Sequence, residues 1–419
     1  LRILVLNSGS SSVKYKFFAT PDNKCLAEGQ VERIGLRGAL LHHKRADGDK
    51  VRVSVDVVDH GQAIEAVIAV LISKNHGVIS DKSEIDAVGH RVAHGGESLT
   101  ESVLITPEVR SEIVNCIELA PLHNPHNLRG VDACSDLLPG VPQVAVFDTA
   151  FHHTIPPHAY IYALPYVLYR RYSLRRYGFH GTSHCYVAVR AAEMMGAELS
   201  RIRMITCHLG NGCSMAAIKH AKSIDTSMGF TPLEGLVMGT RCGDIDPATV
   251  LYVMGKEGLT IGEANAMLNK HSGLAGVSGI SSDMREIEEE VKGGSKRAAL
   301  ALDIFAYRVR KYIGAYSAAM GGVDAIVFTG GIGSNSPIVR AKSLEGLEYL
   351  GAKLEPAANE ACKGRDADIS AADSQVSVFA VVTNEELVIA LDTDKIVGTS
   401  KKREDGLDVS DQEEESTDT

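Results

Sequence analysis

Most of the short signatures that give a protein's chemistry away are missing from this 419-residue chain. No apolar run approaches the 18 or so residues of a membrane span; the stretch 63–72 is far too short. None of the eight cysteines (25, 116, 134, 185, 207, 213, 242 and 362) forms a Cys-x-x-Cys pair, so reduced thiols are expected. Gly-x-x-x-x-Gly-Lys-Ser/Thr is absent, as is Gly-x-Gly-x-x-Gly before a helix, which excludes P-loop and Rossmann proteins on motif grounds. The pairs His90/His94, His123/His126 and His180/His184 have metal-like spacing but lack the Glu of a zincin. No Gly-x-Ser-x-Gly elbow points to a serine hydrolase. A net charge of −10 without a dense basic stripe argues against nucleic acid as a partner. The chain opens directly on an apolar strand, so no signal peptide is expected and the cytoplasm is the expected compartment.

What is present is an ordinary globular composition, 44% hydrophobic and 23% charged, in a chain longer than one core usually holds. Two domains are the default. The stretch Met204 to Ile218 reads as a buried strand, a sharp turn at Leu209-Gly-Asn-Gly212 and a second strand. Gly210 and Gly212 are expected to take backbone angles that a Cβ disfavours. Such a turn gathers N–H groups into a concavity suited to phosphate, with His208 and Asn211 as donors at its mouth. The N-terminus, Ile3 to Phe17, repeats the plan around Asn7-Ser-Gly-Ser10, with Lys14 turning outward. Either turn alone is also an ordinary β-turn. Two of one design suggest a duplicated domain facing a shared cleft.

Alternation predicts a strand over 51–58, and 61–71 reads as a helix. Thr106-Pro107 starts a helix running to about Leu119, and 141–147 is a buried strand closed by Asp148. Thr182-Ser183 is read as the cap of a helix through Met195, with His180 just before it. The glycine-rich segment from Asp225 to Pro247 has little helical period, and ordered loops of that length are usually functional. Asp324 to Gly333 echoes Asp86 to Gly96: an apolar strand running into a glycine turn. From Lys401 to Thr419 there are three basic and eight acidic residues, net −5, and this tail is expected to be disordered.

Arg91 and Arg241 stand beside glycines in apolar or loop sequence, where a guanidinium can fork onto a carboxylate or phosphate; either also suits a surface ion pair. Asp148 sits where open α/β sheets place ligands, although a structural cap fits that position too. Three glycine turns at strand ends could converge on one polyphosphate.

At this point the segments match a known family. The chain resembles acetate kinases over about residues 1–398. The matching stretches include Leu6-Asn-Ser-Gly-Ser-Ser-Ser-Val-Lys14, Gly89-His-Arg-Val-Ala-His-Gly-Gly-Glu97 and Val146-Phe-Asp-Thr-Ala-Phe-His152. Arg176-Tyr-Gly-Phe-His-Gly-Thr-Ser-His184, Phe328-Thr-Gly-Gly-Ile-Gly333 and Thr383-Asn-Glu-Glu386 belong to the set. The most specific is Asp225-Thr-Ser-Met-Gly-Phe-Thr-Pro-Leu-Glu-Gly-Leu-Val-Met-Gly-Thr-Arg241.

The resemblance implies an α/β fold of two duplicated actin-like (ribonuclease H-like) domains with an interdomain active-site cleft. The expected boundaries are 1–149 plus about 384–399, then 150–383, with 400–419 as the tail. It implies reversible transfer of the γ-phosphoryl of ATP to acetate. By position, Asn7 and Glu385 would hold Mg²⁺, with Mn²⁺ as a substitute. Lys14, His208, Leu209, Gly210, Asn211, Gly212, Asp283, Met284, Arg285, Gly331, Ile332, Gly333, Ser334 and Asn335 would line the nucleotide. Arg91 would bind the carboxylate, and Ala93, Leu122, Phe179 and Pro232 would enclose the methyl. Asp148, His180 and Arg241, with Arg91, would be catalytic, Asp148 more as an orienting group than a base. A homodimer without nucleic-acid or membrane partners is implied. Ser334 replaces the family's usual Glu and Ala93 its usual Val, which leaves nucleotide base and acid chain length open. A nucleotide-gated binding module of the actin or chaperone kind, or a kinase using pyrophosphate, are the competing readings.

Overall fold

The computed structural model describes residues 1–404 apart from Pro21, with the backbone alone for 401–404. Its contacts divide into two units, Leu1–Phe147 with helix Glu385–Glu404, and Asp148–Asn384.

The first unit carries β1 (Arg2–Ser8), β2 (Ser12–Ala19), β3 (Lys24–Glu32), β4 (Ala39–Arg45), β5 (Lys50–Val55), β6 (Ala87–Val92), β7 (Val103–Leu104) and β8 (Gln143–Phe147). They form one sheet in the order β5-β4-β3-β2-β1-β6-β8-β7. Alternation along β1 explains its place. Leu4 and Leu6 enter a core with Ile64, Val67 and Cys134 of helices His60–Leu71 and Asn124–Leu137. Ile3 and Val5 face the other way, toward Ile389, Ala390 and Val397 of helix Glu385–Glu404. A strand buried on both faces reads as a continuous apolar run, which is why Ile3-Leu-Val-Leu6 shows no polar alternation.

The second unit carries β9 (Arg203–Leu209), β10 (Cys213–Lys219), β11 (Lys222–Thr226), β12 (Ala325–Thr329), β13 (Ala367–Asp368) and β14 (Ser377–Ala380), ordered β11-β10-β9-β12-β14-β13. Helix Lys296–Met320 covers one face through Leu302, Phe305, Val309 and Ile313. Helix Gly181–Met195 covers the other through Val187, Ala188 and Ala191.

Both sheets share a five-strand plan. In β3-β2-β1-β6-β8 the first three strands are antiparallel, and β6 and β8 run parallel to β1. In β11-β10-β9-β12-β14 the same pattern recurs. This is the duplicated α/β architecture expected from the paired hairpins.

Several local expectations change. Thr182 and Ser183 lie inside their helix; it starts at Gly181, with His180 at the N-cap position in a left-handed conformation, φ 58°. The helix from Pro107 ends at Asn115, and the chain turns rather than continuing to Leu119. Helix Glu385–Glu404 runs through Ser400 into the segment expected to be tail; the rest of that expectation, 405–419, lies outside the described residues. All eight cysteines are free thiols, as expected.

Candidate active site

In the second unit the β9–β10 hairpin sets the frame. Its turn closes with the Gly210 N–H donating to the Gly212 carbonyl at 3.1 Å. Neither glycine has a positive φ, contrary to expectation. A Cβ on Gly212 would sit at ordinary contact distance, 3.5 Å from the Arg241 guanidinium and 3.6 Å from the His180 ring. Two donor-bearing side chains thus converge on one backbone position. The residue that does need a left-handed angle is Gly330 (φ 77°), where a Cβ would strike the backbone of Leu209. That contact brings the two glycine turns of this unit together, and Gly330–Asn335 is a short helix rather than a loop.

His180 is fixed by its neighbours. Its Nδ1 lies 2.9 Å from Ser214 Oγ, and its ring stacks on His208 with centroids 4.3 Å apart. His208 Nδ1 pairs with Ser183 Oγ at 2.7 Å. Behind them His184 bridges Thr206 and Ser214, 2.7 Å to each, and burial next to His152 and His208 holds its pKa well below the ordinary imidazole value. Ser183 and Ser214, which hold these rings, were not singled out in the sequence, and His184 only as half of a metal-like pair. The signal was a run of small hydroxyl and imidazole side chains at positions otherwise reading as core.

Asp148 is buried, and its carbonyl accepts from the Gly181 N–H at 2.9 Å, next to the His180 turn. Phe179 is buried within the core that also holds Leu209, Cys213 and Met238. Arg241 Nη1 donates to the Pro232 carbonyl at 3.2 Å. Among the described residues no carboxylate pairs with Arg241, and desolvation lowers its pKa from the usual arginine value.

A cavity of about 550 Å³ opens beside the hairpin. It is lined by Gly210, Asn211, Asp283, Met284, Arg285, Gly331, Ile332 and Asn335, eight of the residues expected around a nucleotide. Asp283 caps helix Met284–Lys292 and holds Arg285 through an ion pair at 2.6 Å. The wall also includes Ser282, Glu288 and Ser336, which sequence reasoning missed. Glu288 stands four residues after Met284 on one helix, the spacing that puts both on one face. Leu209, Gly333 and Ser334 do not line it. Leu209 belongs to the core, Gly333 gives its carbonyl to the buried Arg340 at 2.8 Å, and the buried Ser334 hydroxyl donates to the Val381 carbonyl at 3.3 Å.

In the first unit, Lys14, Asn7 and Arg91 form a transverse row over β2, β1 and β6. Asn7 pairs directly with Lys14, and one residue beyond the Leu6–His90 pairing places it beside Arg91. Arg91 Nη1 donates to Asn7 Oδ1 at 3.2 Å. Lys14 is exposed and lines a cavity of about 500 Å³ within this unit. Ala93 is buried, with its N–H on Asn127 Oδ1 at 3.1 Å; Asn127 Nδ2 reaches the Ser8 carbonyl at 2.8 Å and so pins the ends of β1 and β6. Leu122, by contrast, is 70% exposed. Glu385 opens the C-terminal helix and is half-buried.

The acetokinase family profile matches residues 2–391. The chain belongs to the acetokinase family. It is 57% identical to an acetate kinase of Halothermothrix orenii over 95% of this chain and 100% of that one. It is 56% identical to one from Thermoanaerobacterium thermosaccharolyticum over 96% and 100%. Among solved structures, Porphyromonas gingivalis acetate kinase superposes with a TM-score of 0.92 at 50% identity, covering 94% of this chain and 99% of that one. A Francisella tularensis propionate kinase reaches 0.88 at 40% identity with the same coverage. Among the described residues no helix is long and apolar enough to cross a membrane.

Proposed function

We propose that this chain transfers the γ-phosphoryl group of ATP to acetate, reversibly, giving acetyl phosphate and ADP. The observation that carries the reading is Arg241, a largely buried cation with no acidic partner among the described residues, beside the His180 ring at the Gly212 turn. Burying an uncompensated charge is unfavourable unless an anion arrives to meet it. Phosphoryl transfer between two anions needs such groups, because the protein mainly positions and neutralises.

In this reading the nucleotide occupies the 550 Å³ cavity, with the Gly210 and Gly331 turns near its phosphates. Arg91 takes the carboxylate, which is already ionised near neutral pH and needs no base. Asp148 orients, and His180 and Arg241 stabilise the charge of the phosphoryl group in flight. The metal expected with ATP is Mg²⁺. Asn7 and Glu385 offer hard oxygen donors in the first unit, and Mg²⁺ commonly takes one or two protein oxygens and completes its shell with water and phosphate. When bound it would offset phosphate charge. A homodimer and a cytoplasmic location belong to the same reading.

Propionate is the second reading, favoured by Ala93 and by the likeness to a propionate kinase. Trapping the acyl phosphate as its hydroxamate, with acetate and propionate each against ATP, GTP and pyrophosphate, tests the proposal. Hydroxamate from acetate and ATP supports it. Nucleotide binding without turnover on any acid would leave the gated binding module in its place.

A further inference from the structure

The loop 227–246 has no helix or strand, yet it carries Pro232 and Arg241. Something must fix it. Arg176 does much of this, from the segment that leads three residues later into Phe179 and His180. Its Nη1 donates to the Thr226 carbonyl at 2.6 Å and, more weakly, to the carbonyls of Ser227 and Met228 at 3.4 Å. Its Nη2 donates to Glu234 Oε1 at 2.7 Å, and Asp225 lies 3.8 Å from Nε. The other Glu234 oxygen accepts from the Tyr162 hydroxyl, which in turn accepts from the Phe230 N–H at 2.8 Å. Tyr177 and Gly178 donate their N–H groups to the Gly229 carbonyl at 3.1 and 3.3 Å. The set is closely packed: a Cβ on Gly229 would overlap both the Glu234 carboxylate and the Tyr162 hydroxyl. Arg176 is only 16% exposed and Glu234 31%.

We propose that Arg176, Glu234 and Tyr162 form a latch that sets the position of Arg241 relative to His180. They are positioning residues: they act through Arg241 and do not touch the reacting groups. A charge pair this sheltered holds two loops in one geometry, whereas exposed pairs contribute little. The inference rests on the proposed phosphoryl transfer, so its test must separate the two.

The test is a double-mutant cycle of Glu234→Gln with Arg241→Ala, read as kcat for acyl phosphate formation, beside ADP affinity by calorimetry. Glu234→Gln should lower kcat on the order of 100-fold, the penalty for roughly ångström-scale misplacement. ADP affinity should hold, because the latch residues do not line the nucleotide cavity. In the Arg241→Ala background the same change should cost less than about threefold, since groups acting as a unit are not additive. Tyr162→Phe keeps the ring, removes only the bridging hydroxyl, and should repeat the pattern at smaller size; it decides the matter if Glu234→Gln does not fold. Equal penalties in both backgrounds, or wild-type kcat in both latch variants, overturn the latch alone. A wild type that makes no acyl phosphate overturns the underlying reading and the latch with it.

Discussion

At the scale of single residues, Arg241 shows function set against stability. Its charge is desolvated, and among the described residues no carboxylate compensates it, which is unfavourable. Arg241→Ala should lower kcat by at least ~100-fold, as the loss of one transition-state donor does. It should also leave the apo melting temperature equal or raised, as calorimetry can check; a large drop would mean the guanidinium is structural. Arg91→Ala should cost similar turnover, but Arg91 already donates to Asn7, so no rise in stability is expected. Ala93 decides chain length in the proposed reading. Ala93→Val should penalise propionate more than acetate, by the ~1–3 kcal/mol that one methylene carries in an apolar pocket. An unchanged ratio of kcat/KM for the two acids would remove residue 93 from the pocket. Arginines among glycines were legible in the sequence because a charge in apolar context is conspicuous. Ser334 was not: its sequence neighbours suggest a cavity wall, and only the fold shows its hydroxyl turned to the Val381 carbonyl.

Among elements, the hairpins and the buried strands were readable from alternation and from glycine turns, and the long segment after Asp225 from its missing periodicity. Helix starts were harder. Thr182-Ser183 has the chemistry of a cap, yet Ser183 Oγ serves His208 and the chain turns at His180 instead. A left-handed histidine has no sequence signature, because the surrounding structure imposes the angle. The glycines divide the same way: Gly210 and Gly212 were expected for their angles, yet neither has a positive φ, and only at Gly210 would a Cβ be tight, 3.2 Å from the Gly212 carbonyl. Gly229 gives a sharp test at this scale. Gly229→Ala puts a methyl where the Glu234 carboxylate and Tyr162 hydroxyl stand. Both melting temperature and kcat should fall, the former by the ~1–3 kcal/mol typical of overpacking. A variant indistinguishable from wild type would show the loop to be looser than its contacts imply.

For the molecule as a whole, buried histidines set the acid limit. His90 and His152 are held down to about 4 by burial, and His184 lies well below the ordinary value. In the unfolded chain each titrates near 6.5, so between about pH 6.5 and 4 the unfolded state binds more protons. Their contribution to stability is therefore complete above pH 6.5 and is lost as the pH falls toward 4. Melting temperature should decline steadily from pH 7 to pH 5; a flat profile would mean these rings carry protons when folded. The duplicated architecture was legible because two hairpins of one plan lie far apart in the sequence, whereas the return of the C-terminal helix to the first sheet came only from family resemblance. That return has a consequence for synthesis. Ile3, Val5 and Phe18 are made long before the helix residues Ile389, Ala390 and Val397 that cover them. On the ribosome the unit 148–384 can close while the N-terminal sheet still waits with one apolar face bare. The unit translated earlier is thus the later to mature, and a chaperone would find its work there.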